Sequence, residues 1–186
     1  LSSLERENVV GVDATVCSVV EVNAWRSPLA SAGIKVEFVN DPFDALWKER
    51  PSVPLSVAQI MPQDIVGESA ASKIARLRET FGKEGVDGMV VTMLDEVAWI
   101  TNLRGNDVEY NPVLVSYMLI TDDNAVLYID ERKLTDDVKA YLQSQGISVA
   151  PYSDIWQALK DYDKATLLMQ PNRCNAAVYF AVGEKA

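Results

Sequence analysis

The stretch LDEVAWITNLRGNDVEYNPVLVSYMLIT, residues 94–121, decides how the chain is read. It opens with Leu94, Val97, Ala98 and Thr101 at helical spacing, with Thr92 and Asp95 placed as N-cap and capping partner. It closes with an apolar run, Leu114 to Ile120, that reads as a strand. Between them, Arg104-Gly105-Asn106-Asp107-Val108-Glu109-Tyr110-Asn111 concentrates charge and hydrogen-bonding groups that no cap or turn requires. Two readings of this loop are open. In one, Arg104 pairs with Asp107 or Glu109 in a surface clasp of small energetic worth. In the other, a rigid helix and strand hold donors meant for another surface, as loops on such scaffolds often do.

Downstream, Ala125 to Ile129 follows the turn-prone Thr121-Asp122-Asp123-Asn124, so it pairs with Leu114–Ile120 as an antiparallel hairpin. Lys133 follows and is read as solvent-facing. Leu134, Val138, Tyr141 and Leu142 give a helix closed by Gly146, then Ile147-Ser148-Val149 a strand. A helix from Ser153 through Trp156 and Leu159, a strand from Ala165 to Met169 and a last helix from Asn172 to Ala181 continue the alternation. Upstream, Ala70, Ile74, Leu77 and Phe81 stripe one face of a helix over residues 69–81, with Gly82 as its C-cap, and Val86 to Val91 is a buried strand.

The start of the chain repeats the theme. Val9–Val12 is a strand, residues 18–31 carry helical spacing around Trp25 and Leu29, Gly33 stops the helix, and Ile34 to Val39 alternates with period two. Asn40-Asp41-Pro42 opens a short helix bearing Phe43, Leu46 and Trp47, and Pro51, Pro54 and Pro62 then interrupt any pattern as far as Gly67. The expected organisation is a partial α/β unit over residues 1–53, a linker over 54–66, and a second α/β domain over 67–186. That second domain is a mixed sheet flanked by helices.

Composition narrows the chemistry. With 48% hydrophobic and 24% charged residues the chain builds an ordinary core, and a net charge of −10 without a Lys/Arg run disfavours nucleic acid and membrane surfaces as partners. Histidine is absent, which removes Ser-His-Asp and Cys-His catalysis and His-based zinc sites. Cys17 and Cys174 are too few and too distant for a thiolate cluster and fit a reducing compartment. The glycines around Lys83 lack phosphate-loop spacing. Asp130-Glu131, Asp136-Asp137 and Asp161 to Asp163 invite a carboxylate-based, metal-dependent nuclease-like enzyme, but acidic groups at strand exits and helix ends are usually solvated caps.

Residues 94–121 resemble the middle domain of the three-domain, cytosolic Xaa-Pro aminopeptidases (aminopeptidase P), in which a block of the form LDE-A-W-NLRG-D-V-NPV-SY is specific. Val10-Gly11-Val12-Asp13, Trp25 and the segment from Asn40 to Pro51, ending in Trp-x-x-Arg-Pro, resemble the end of that family's first domain. Position 110 is Tyr where many relatives have His; Tyr keeps a donor and an aromatic face.

The resemblance implies creatinase-N-like α/β domains. It also implies a pita-bread catalytic domain outside these residues, holding two metal ions, usually manganese, through Asp, Glu and His. On that reading the chain is a cytoplasmic fragment with no catalytic residue, metal ligand or cofactor of its own. Its partners are the catalytic domain, the peptide substrates of the parent and, in some assemblies, a second copy as a homodimer. Arg104, Asp107, Tyr110 and Asn111 are its candidate substrate- or domain-interface residues. The alternative is a free-standing, catalytically silent interaction or dimerisation module of the same fold.

Overall fold

The computed structural model describes residues 4–163 and 166–183. Its contacts form two compact units, one up to Ser52 together with Gln170–Ala181, the other Val53–Met169 with the residues from Val182 onward.

In the first unit β1 (Val9–Asp13), α1 (Val19–Ser31) and β2 (Lys35–Val39) form a βαβ element, with β1 and β2 parallel and Val9 opposite Lys35. A capping box starts α1: Ser18 Oγ accepts from the Glu21 amide and Glu21 Oε2 accepts from the Ser18 amide. Gly33, at φ +76°, turns the chain so that the Ile34 amide donates to Leu29. The expected short helix after Asn40 is a run of turns. Asp41 accepts from the Phe43 amide as a cap would and also pairs with Arg50, yet Phe43, Leu46 and Trp47 all stay exposed. With all three apolar side chains left exposed, one helical turn gains little burial to repay its nucleation.

The second unit starts with the segment expected as a linker. Residues 54–66 hold β3 (Gln59–Ile60) and α2 (Gln63–Val66), and Ala58 is buried, its amide donating to the Lys133 carbonyl. Next come α3 (Ala70–Glu84), β4 (Gly88–Val91), α4 (Leu94–Thr101), β5 (Leu103–Arg104), β6 (Ser116–Thr121), β7 (Ala125–Ile129), α5 (Asp136–Ser144), β8 (Ser148–Ala150), α6 (Ile155–Lys160) and β9 (Leu167–Leu168). A five-stranded mixed sheet runs β8-β7-β6-β4-β9: β8 is parallel to β7, β9 is parallel to β4, and the two inner pairings are antiparallel. The mixed α/β class expected from the sequence is what the chain adopts. Every residue of the central strand β6 is buried. Ile74 and Phe81 of α3, Val97 and Ile100 of α4, and Val138 and Leu142 of α5 pack with Met118, Ile120, Leu127 and Ile129 of the sheet into one core.

Several helix boundaries differ from the sequence reading. α3 runs past Gly82 to Glu84 and caps on Gly85 at φ +67°, because the Val86 amide closes onto Phe81, the last buried residue of the stripe. α4 is capped at Met93 rather than Thr92, and Met93 makes no side-chain cap bond. The expected strand at Ala165–Met169 is shorter, Leu167–Leu168, with Ala165 outside the described residues. The last helix, α7 (Ala176–Val182), counted in the second domain by sequence, packs largely with the first unit. The Ala176 and Ala177 amides donate to Cys17 and Ala14, and Ala176 joins Val12, Ala14 and Val22 in a small core.

Candidate functional site

The loop between β5 and β6 is set by what precedes it. Asn102 leaves α4 in the left-handed region at φ +56°, a conformation Asn tolerates. Its side chain is buried, accepting from Lys73 Nζ at 2.6 Å and donating to the Glu68 carbonyl at 2.9 Å. Lys73, on α3, also donates to the Trp99 carbonyl at 2.6 Å, and its ammonium lies 4.4 Å from the Trp99 ring centre. Burial pushes Lys73 below its usual pKa; Glu68 opposes this, while Arg104 and Arg76 add to it.

Arg104 turns back onto the end of α4. Its Nη1 donates to the carbonyls of Ala98 at 2.6 Å and Leu103 at 2.8 Å, a cation where the helix dipole is negative. It therefore does not clasp Asp107 or Glu109. Gly105 permits the next turn, since a Cβ there would lie 2.1 Å from Leu114 Cδ2 and 3.0 Å from Ser56 Oγ.

Asp107 points inward. Its Oδ1 accepts from the Ser56 amide at 3.1 Å and hydroxyl at 2.7 Å, and its Oδ2 accepts from the Val115 amide at 2.7 Å and Lys133 Nζ at 2.5 Å. The side chains of Asp107 and Lys133 are 0% and 1% exposed. Burial raises the Asp107 pKa, but the bonds from Lys133, Ser56 and Val115 outweigh it and hold the carboxyl below its ordinary value. Lys133, expected on the solvent face, is thus buried as the partner of Asp107, because the short turn over Glu131–Lys133 folds it back beneath the loop.

Beyond Asp107 the loop projects. The Asn111 amide donates to Val108 at 3.1 Å and its carbonyl accepts from Val113 at 2.8 Å, closing a tight turn. Tyr110 sits at its tip at φ +61° and 95% exposed. Of the four residues singled out by sequence, Asp107 is buried, Arg104 is half-buried against the Ala98 and Leu103 carbonyls, and Tyr110 and Asn111 are presented outward. Sequence reasoning missed Ser56, Lys73, Asn102 and Lys133. Lys73 carried a signal, lying three residues after Ala70 and four before Leu77 on the buried stripe of α3.

Of the carboxylates at the other expected positions, Asp130 is a cap, accepting from the Arg132 guanidinium and amide, which hold its pKa at about 2, and Asp136 and Asp137 occupy the first turn of α5 behind the Thr135 cap. Among the described residues no group of three or more His, Cys, Asp or Glu side chains could hold a metal ion, and the sequence has no His. The described residues do not fit a di-metal centre.

The architecture has known relatives. The model of the creatinase/prolidase N-terminal domain matches residues 49–186. The chain belongs to that family. The probable Xaa-Pro aminopeptidase P of Sordaria macrospora is 36% identical over 188 residues, covering 94% of this chain and 30% of its own length. Aminopeptidase P1 of Arabidopsis thaliana is 36% identical over 82% of this chain and 24% of its own. The X-prolyl aminopeptidase from Caenorhabditis elegans, a cytosolic enzyme with a di-nuclear active site, matches with a TM-score of 0.91. That match has 26% identity and covers 98% of this chain and 31% of that one. The likeness to aminopeptidase P read from residues 94–121 is borne out by these matches, and the chain spans about a quarter to a third of the length of these relatives.

Proposed function

We propose that the chain serves as a non-catalytic N-terminal region of an Xaa-Pro aminopeptidase, a cytoplasmic enzyme that removes the N-terminal residue preceding proline from peptides. The observation that carries this reading is the coverage. Nearly all of the chain aligns with less than a third of each aminopeptidase, and no group among the described residues fits the di-nuclear centre that one of them is described as having.

In this reading two metal ions, manganese in the family it resembles, are held by a catalytic domain of the same protein. The loop from Arg104 to Asn111 helps shape the cleft beside that domain or docks it. The geometry supports a presenting role. Asp107, Lys133 and Ser56 fix the base of the loop, and Tyr110 and Asn111 stand out from a rigid sheet. The test is activity. The pure 186-residue chain with Mn²⁺ should release no residue from Xaa-Pro peptides, whereas the full-length polypeptide containing it should. Metal-dependent release by the chain alone, or an inactive full-length polypeptide, contradicts the proposal.

A further inference from the structure

The two legs of the loop are tied first to each other. The Gly105 amide donates to the Pro112 carbonyl at 3.5 Å and the Asp107 amide to the Val113 carbonyl at 3.2 Å. Bonds of that kind travel with the loop as a body and leave its direction open. The Asn106 amide, between them in sequence, instead leaves the loop and donates to Ser56 Oγ at 2.8 Å. The same hydroxyl donates to Asp107 Oδ1 at 2.7 Å, and the Ser56 amide reaches that oxygen at 3.1 Å. Ser56 thus holds two successive residues of the loop from the segment that leads into β3.

This tie is separate from the buried ion pair. Asp107 Oδ2 is served by the Val115 amide and Lys133, so that pair keeps its own bonds without the Ser56 hydroxyl. A backbone amide only donates and an ionised carboxylate only accepts, so the hydroxyl has one orientation that serves both, its proton toward Asp107 and a lone pair toward Asn106. Gly105 keeps the approach open, since a Cβ there would lie 3.0 Å from Ser56 Oγ. At the far end Tyr110 is exposed, so packing at the tip does not set its direction. The base must.

We infer that Ser56 is a positioning residue, whose hydroxyl joins Asn106 and Asp107 to the segment before β3 and so sets the direction in which Tyr110 and Asn111 are presented. The inference rests on the proposed function and deepens it, because it assigns the aim of the loop to one side chain outside the loop. In the aminopeptidase, a tip that points elsewhere holds the peptide less well, and the cost falls on KM.

The test has two arms. In the 186-residue chain, backbone ¹⁵N relaxation is read at Val108, Glu109, Tyr110 and Asn111. Ser56→Ala should make these amides more mobile while the Val115 amide stays as protected from exchange as in the parent chain, and Ser56→Thr, which keeps the hydroxyl, should restore the parent pattern. Ser56→Cys, a weak donor and acceptor of similar size, carries the comparison if the Ala variant does not fold. In the full-length polypeptide, Ser56→Ala should raise KM for an Xaa-Pro peptide about fivefold, the scale of one neutral hydrogen bond, with kcat per folded enzyme held and with rescue by Ser56→Thr. A merely structural role would lower the maximal rate in proportion to folded protein and leave KM where it was. Unchanged relaxation at the tip, or unchanged KM, in Ser56→Ala overturns the inference. Tyr110→Gly in the same assay separates the two failures. The proposed function of the loop fails if Tyr110→Gly leaves kcat/KM unchanged, and the Ser56 assignment fails alone if Tyr110→Gly lowers kcat/KM and Ser56→Ala does not.

Discussion

The ammonium of Lys133 lies 2.5 Å from Oδ2 of Asp107, and both side chains are closed to water. The loop base is therefore a buried ion pair completed by Ser56 and the Val115 amide, not a surface clasp. Such a pair is costly to break from one side, because the remaining charge stays buried without its partner. Lys133→Ala should destabilise the isolated chain by about 3–5 kcal/mol, whereas Lys139→Ala, at a half-exposed pair with Glu131, should change it by no more than about 1 kcal/mol. Urea unfolding of the two variants checks this; near-equal midpoints would mean that Lys133 is solvated.

The same pair predicts a direction in pH. The folded-state pKa of Asp107 lies below its unfolded value, so its contribution is fully present above the unfolded Asp pKa, about 3.9, and is lost as pH falls through the lower folded value. Asp107→Asn removes that titration. Stability of the parent chain should fall more steeply below pH 4 than that of Asp107→Asn, and parallel acid profiles would contradict the assignment.

How much of this was legible varies with sequence distance. The β6–β7 hairpin, helix α5 and the βαβ element at the start were readable because caps, turns and periodicity act over a few residues. The base of the loop was not. Asp107 meets Lys133 across 26 residues and Ser56 across 51, and nothing local to Lys133 marks it as buried. Proline at positions 51, 54 and 62 suggested a free linker, but Ser56 and Ala58 alternate inward between exposed Leu55 and Val57 and tie that segment down. Asn102 was readable in principle as a left-handed residue closing α4, although its buried contacts to Lys73 and Glu68 were not.

That tied-down segment changes where a protease should cut. Residues 40–50 are exposed turns bearing Lys48 and Arg50, while 56–60 are held by Asp107, Lys133 and β5. Brief trypsin treatment should nick first at Lys48, since exposed turns are the usual sites and the proline after Arg50 blocks cleavage there. First cleavage at Arg76 or Arg78, inside α3, would show that the second unit is less stable than its core implies.

Two glycines should respond in opposite directions. Gly105→Ala forces a methyl into Leu114 and Ser56 and should cost about 1–3 kcal/mol through overpacking. At Gly82, inside α3, a Cβ meets nothing within 4 Å, so Gly82→Ala should stabilise the chain by about 0.5–1 kcal/mol. Thermal melting of both variants against the parent chain reads the signs directly, and destabilisation by Gly82→Ala would place the end of α3 at Gly82 after all.

The central claim is that the loop tip serves a surface outside this chain, and Tyr110 tests it most directly. Tyr110 is 95% exposed at φ +61°, so it adds little packing and carries a backbone conformation that glycine adopts freely. Tyr110→Gly should leave the melting temperature of the isolated chain unchanged or raised. In the full-length polypeptide the same substitution should lower kcat/KM on an Xaa-Pro peptide by about tenfold or more, equivalent to about 1.4 kcal/mol of lost interaction. Unchanged kcat/KM with an unchanged melting temperature would contradict the account and leave the tip of the loop without a role in the enzyme.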